Sequence, residues 1–159
     1  MSSDNRVTHY LDSQHIRYEL RSHPHSKSSL GSALSADVPL HDMAKAVMLE
    51  DHDGKHMMAI LPCDYKVSLR ALQDELHRDF KLVKEAKVYQ LFTDCDSGAV
   101  PPVPQAYHME AIYDEALEEC NTVYLECGDH ETLIAMDKED FVRMLGNAKH
   151  GRFSYRTIH

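Results

Sequence analysis

One lysine and one loop carry the residue types most able to do chemistry in this chain. Lys45 stands inside Met43-Ala44-Lys45-Ala46-Val47-Met48-Leu49, where every neighbour is apolar. A lysine in such a run either snorkels to solvent from an edge strand or faces a cleft as a fixed positive charge. In the cleft, its ammonium could hold a phosphate, a carbonyl or a carboxylate. The stretch Asp96-Ser97-Gly98-Ala99-Val100-Pro101-Pro102-Val103-Pro104-Gln105 packs three of the six prolines into ten residues. Proline fixes φ and lacks an N–H, so this is neither a helix interior nor a central strand. Gly98 has no Cβ and lets another group approach the main chain. The stretch reads as a stiff loop with apolar sides and exposed backbone polar groups. It is either a plain connection or the wall of a binding site.

Other motifs are weaker. Among the 12 histidines, His23 and His25 flank Pro24, and His52 and His56 sit across a turn. None forms a His-Glu-x-x-His helix or a Cys/His zinc spacing, so they read as structural or surface residues, and no metal or cofactor is implied. There is no Gly-x-Ser-x-Gly elbow, phosphate-binding loop or dinucleotide fingerprint. Asp114 opens a helical turn and reads first as its cap. Cys63, Cys95, Cys120 and Cys127 form no Cys-x-x-Cys pair, which points to free thiols in a reducing compartment and hence to the cytoplasm.

A net charge of −9 argues against broad nucleic-acid binding, though not against a local basic patch. The tail Lys149-His150-Gly151-Arg152-Phe153-Ser154-Tyr155-Arg156 is basic, with two aromatics interleaved. It reads as a solvated terminus; the alternative is a segment that contacts phosphates and stacks on bases.

The elements that must position these residues follow from periodicity. At 159 residues, 43% apolar and 27% charged, the chain fits one soluble domain, with a core over about residues 5–145 and a basic tail over 146–159. No apolar run is long enough to span a membrane, and the N-terminus lacks the apolar core of a secretory signal. Helices are expected over about 5–14, from Ser28–Ser29 to Asp37, from Ser68 through Leu76, over 85–92 and over 138–145. Asp137 is the expected cap of the last, with Asp140 at the capping-box position. Strands are expected over 16–20, 43–49, 56–61, 80–83, 108–113, 122–127 and 132–136. An Asp53-Gly54 turn joins the second and third, making their hairpin the expected sheet centre. The predicted class is α/β (α+β): a mixed, largely antiparallel sheet with flanking helices.

The order of these motifs resembles the YbaK and prolyl-tRNA-synthetase-associated family, the trans-editing aminoacyl-tRNA deacylases. The matching text is Ile16-Arg17-Tyr18-Glu19, Ser29 to Val38, and Val38-Pro39-Leu40 leading into Ala44-Lys45-Ala46-Val47. It continues with Leu61-Pro62, Gly98-Ala99-Val100-Pro101-Pro102, Ile112-Tyr113-Asp114-Glu115-Ala116-Leu117 and Lys138-Glu139-Asp140-Phe141.

The resemblance implies hydrolysis, in trans, of the ester of a mischarged tRNA. The expected substrate is a tRNA for proline carrying a small or similar amino acid. It implies that Lys45 is the pocket lysine and that Gly98 and Pro102 are the fixed points of a Gly-x-x-x-Pro loop. Tyr18, Leu30, Ala46, Ala99, Val100, Pro101, Pro102 and Asp114 are the expected substrate-binding residues. The implied partner is aminoacyl-tRNA, with a synthetase or elongation factor as a possible helper. Three positions depart from the usual pattern: Ala46 where many relatives carry a hydroxyl residue, Val103-Pro104 after the loop, and Glu126 near a small-residue position. They leave an alternative, a catalytically silent module that binds tRNA, nucleotide or a protein partner; a third reading is a plain interaction domain.

Overall fold

A computed structural model describes residues 5–26, 28–95 and 100–157. The helices are α1 (Arg6–Ser13), α2 (Ser29–Ser35), α3 (Leu69–Leu76), α4 (Glu85–Leu91) and α5 (Lys138–Leu145). The strands are β1 (Glu19–Ser22), β2 (Ala44–Asp51), β3 (His56–Pro62), β4 (Tyr65–Val67), β5 (Phe80–Leu82), β6 (Glu110–Asp114), β7 (Thr122–Glu126), β8 (Thr132–Asp137), β9 (Lys149–Gly151) and β10 (Ser154–Arg156).

The strands make a five-stranded sheet in the order β5-β2-β3-β6-β9, a three-stranded sheet β1-β8-β7 and a two-stranded ribbon β10-β4. Among the described strands, β3–β6 and β6–β9 pair in parallel and the other five pairings are antiparallel. The β2–β3 hairpin is central because both strands are apolar on both faces and need cover on each. Its turn is held by Asp51, whose Oδ1 accepts from the Asp53 and Lys55 amides, both at 2.9 Å. Arg78 donates to the other oxygen at 2.6 Å and holds this carboxyl down at about 2.

Helix starts follow their caps. Asn5 and Thr8 close a reciprocal capping box on α1, which buries Val7 and Leu11. Ser28 caps α2 through the Gly31 amide, and Ser68 caps α3 through the Ala71 amide. Asp137 stands at the N-cap of α5 without a side-chain cap bond. Asp140 does not close the expected box either. Its carboxylate instead accepts from Arg143, at 2.9 Å, and from the Arg17 amide.

The first strand begins three residues later than its alternation predicts. Ile16 is buried as the chain leaves α1, and β1 runs along an exposed edge.

The larger correction concerns the tail. Residues 149–156 are not a solvated terminus but two docked strands, β9 against β6 and β10 against β4. Phe153 between them is 1% exposed, packed with Leu49, Met57, Ala59, Leu72 and Ile112. Burying one phenylalanine is worth roughly 1.5–3 kcal/mol, enough to offset the entropy of ordering a few residues. Asp114 completes the anchor. It caps the following turn through the Ala116 amide at 2.8 Å, as expected. It also accepts from the amides of Phe153 (3.1 Å) and Ser154 (3.0 Å) and from the Ser154 hydroxyl (2.5 Å).

Candidate active site

The two larger sheets meet where β2 runs beside β7, joined by a parallel bridge between Met43 and Tyr124. Met43, Tyr124, Cys63, Leu133 and Ala33 of α2 form one apolar cluster on that side. Side chains in a strand return to the same face every second residue. Lys45 and Glu126, each two positions beyond the bridge, therefore turn to the α2 side of the seam. Cys63 lies between them: its amide donates to the Met43 carbonyl at 2.7 Å, and its thiol feels the charges of both Lys45 and Glu126.

The half-buried Lys45 ammonium has no ion-pair or hydrogen-bond partner among the described residues. Burial lowers its pKa, against the opposing pull of Cys63 and Asp64. A cation so placed is poorly hydrated, and its field is stronger than it would be in water. Asp64 is the nearby acid, 7% exposed; its Oδ2 accepts from Arg156, while Oδ1 is buried without a partner.

Glu126 is fully buried. Its Oε2 lies 2.5 Å from Nδ1 of His130 and accepts from the Ser32 hydroxyl at 3.2 Å. Ser26 and Ser32 share a 2.7 Å hydroxyl contact, and the His25 ring meets the His130 ring edge-on. Oε1 of Glu126 is buried without a partner. Burial pushes this carboxyl up to about 8, with the Ser32 bond acting the other way.

That shift has a stability consequence. The folded pKa exceeds the ordinary 4.5, so stability is full below about 4.5 and is lost as pH rises through about 8. Glu126→Gln should remove that loss, leaving the variant about 3–5 kcal/mol less pH-sensitive than the parent between pH 5 and 9. Denaturant unfolding at both pH values measures it, and equal pH slopes for the two proteins would refute it.

The thiols are poor nucleophiles. Burial raises Cys63, Cys95 and Cys120 to about 12 and moves Cys127 in the same direction.

The sequence-derived site residues divide between two faces. Ala46 points away from Lys45, toward the main core, and lines a groove of about 260 Å³ with Val83, Val88 and Val100. Tyr18 packs against that same core and donates to Asp12 at 2.8 Å, with burial raising its pKa to about 12. Asp114 gives both oxygens to the chain itself. Gly98 and Ala99, and the side chain of Leu30, lie outside the described residues.

The ends of the loop are described. The Cys95 thiol comes within 3.4 Å of where a Cβ on Gly128 would stand, just beyond Glu126. Val100 lines the same groove as Ala46, the residue after Lys45. Cys95 and Val100, on either side of residues 96–99, thus lie near the end of β7 and near β2. Pro101 and Pro102 are buried, and Val103 is a core residue at 0% exposure. Pro104 opens a 3₁₀ turn (Pro104–Tyr107), where its missing N–H costs nothing. The Val103-Pro104 departure is therefore a packing anchor and a turn start.

Sequence spacing did not single out His130 or Ser32. Residues 26, 32, 126 and 130 come together only through the β7–β8 turn and α2.

Comparison with known proteins closes the question of family. The profile of the aminoacyl-tRNA editing domain matches residues 23–144. This chain belongs to the aminoacyl-tRNA editing domain family. The editing domain is similar in fold to the hypothetical protein APE2540, at 18% identity and a TM-score of 0.83, covering 95% of this chain and 100% of that one. It is also similar to a "putative trans-editing enzyme for prolyl tRNA synthetase", at 17% identity and a TM-score of 0.79, covering 98% of each chain. No curated protein matches the sequence. The mixed α/β fold and the YbaK resemblance are borne out. Among the described residues, no helix of the editing domain is long and apolar enough to cross a membrane.

Proposed function

We propose that this protein hydrolyses the ester of mischarged aminoacyl-tRNA, with a tRNA for proline carrying a small or similar amino acid as the leading candidate. The observation that carries the reading is the unpartnered Lys45 ammonium on the same face of the β2–β7 seam as buried Glu126. An aminoacyl ester is already activated and needs no protein nucleophile. It needs a positioned water and stabilisation of the developing oxyanion. Lys45 supplies positive charge to the carbonyl or to the terminal phosphate, and main-chain N–H groups of the Gly98–Pro102 loop supply fixed dipoles. A free ribose hydroxyl of the substrate assists the water.

A raised thiol pKa fits a mechanism without covalent catalysis. Cys63→Ser should keep kcat within about threefold of the parent; a loss beyond about a hundredfold would point to a thiol nucleophile instead.

The assay that tests the whole reading is incubation with a panel of charged tRNAs, following release of the amino acid, with Lys45→Ala as control. Hydrolysis of at least one mischarged tRNA is expected. Measurable tRNA binding with no hydrolysis of any substrate would leave the silent binding module in its place.

A further inference from the structure

The docked tail carries a surface that the editing reaction does not explain. The family match ends at residue 144, and β9 and β10 lie beyond it. β10 pairs with β4 in the register Ser154↔Val67, Tyr155↔Lys66, Arg156↔Tyr65. Val67 packs toward the Phe153 cluster and Ser154 donates to Asp114, so these two face inward. Alternation then sends Tyr155 and Lys66 outward, side by side. Tyr155 is 54% exposed, a large aromatic ring left in water, and Lys66 is exposed with no ion pair among the described residues.

The ribbon is tied to the candidate active site. β4 begins two residues after Cys63. Arg156 donates through Nε to Asp64 at 3.2 Å while its side chain stays 72% exposed. Thr157 adds two bonds to the Asp64 carbonyl, from its amide at 2.9 Å and its hydroxyl at 2.8 Å. Lys66 lies close enough for its charge to act on Lys45. The acids beside the ribbon are already matched: Glu115 meets His150 and Arg152, and Glu119 meets Arg152 and His41.

We infer that the outer face of the β4–β10 ribbon, where Lys66 stands beside Tyr155, binds the single-stranded acceptor end of tRNA. Lys66 takes a backbone phosphate and the Tyr155 ring stacks on a base. An aromatic beside a cation is the chemistry of single-strand binding, tolerant of sequence because every base offers a π face. A net charge of −9 over the whole chain confines RNA to such a local patch. With Lys66 near Lys45, the ribbon lies within reach of the terminal nucleotides of a substrate whose ester sits at Lys45. The inference rests on the deacylase reading only for the placement of the ester.

Lys66→Ala and Tyr155→Ala test it, since neither side chain supports the core. The probes are uncharged tRNA for proline, the same tRNA mischarged with alanine, and alanyl-adenosine, which lacks the preceding nucleotides. Tyr155→Ala should weaken uncharged tRNA binding about tenfold. Lys66→Ala should lower the slope of log affinity against log salt by about one. For the charged tRNA Tyr155→Ala should raise KM without changing kcat, and its hydrolysis of alanyl-adenosine should stay at the parent rate. Parent-like tRNA binding in both variants would overturn the inference, as would an equal loss on alanyl-adenosine in Tyr155→Ala. If the parent binds tRNA through these residues but hydrolyses nothing, the ribbon stands and the deacylase reading falls.

Discussion

Replacing Lys45 by alanine is expected to lower deacylation of the best mischarged substrate about 10²–10³-fold in kcat, the usual loss on removing one preorganised group from a developing oxyanion. The fold should survive the change. Lys45 makes no ion pair among the described residues, and alanine already neighbours it on both sides in β2. Removing a partly desolvated cation also removes the cost of burying it, so stability should move by no more than about 1 kcal/mol. Lys45→Arg is the sharper companion. It keeps the charge but replaces a compact ammonium with a longer planar fork, so it should restore less than a tenth of the parent rate. The measurements are single-turnover release of the amino acid and thermal unfolding of each variant. Parent-like turnover in Lys45→Ala would remove the lysine from the mechanism, and loss of folded signal would mark it as a structural residue.

The largest expected loss of stability is at Asp114. Its buried carboxylate, 2% exposed, accepts four hydrogen bonds from three residues on two segments, the 115–119 turn and the C-terminal strap. Asp114→Ala leaves the buried amides of Ala116, Phe153 and Ser154 without their acceptor, and each such loss costs about 1–3 kcal/mol. The strap then holds Phe153 less firmly, so some apolar burial is lost as well. A total of about 3–5 kcal/mol is expected, read as a fall in Tm of roughly 10 °C. Asp114→Asn keeps an acceptor oxygen and should recover about half of this. Chemical unfolding of the three proteins decides the matter; a loss below about 1 kcal/mol in Asp114→Ala would show that water replaces the carboxylate. In the functional assays Asp114→Ala should act by weakening tRNA binding through the ribbon, with hydrolysis of a minimal ester less affected.

Both expectations attach to residues legible in the linear chain, but for different reasons. A lysine in an otherwise apolar strand conflicts with its local pattern, and such conflicts point toward functional sites. Asp114 was legible as a helix-turn cap because that role is local, decided within two residues. Its second role, holding residues 153 and 154, joins positions about forty apart and leaves no periodic trace.

The sequence by itself determined the helices and most strands, because caps, Asp-Gly turns and apolar spacing act over a few residues. It also determined the order of motifs from Lys45 through the Gly98–Pro102 loop to Asp114, which carried the family. Only the tertiary structure decided which faces meet. Lys45 and Ala46 are adjacent in sequence, yet alternation sends one to the α2 side of the seam and the other to the main core. Glu126, Ser32 and His130 become a buried polar cluster only because β7 runs beside β2 and α2 folds over the junction. The tail read as a solvated end because chain termini are poorly ordered unless something docks them. Tertiary packing overrode that reading with one buried phenylalanine and one carboxylate, long-range contacts that no local window contains.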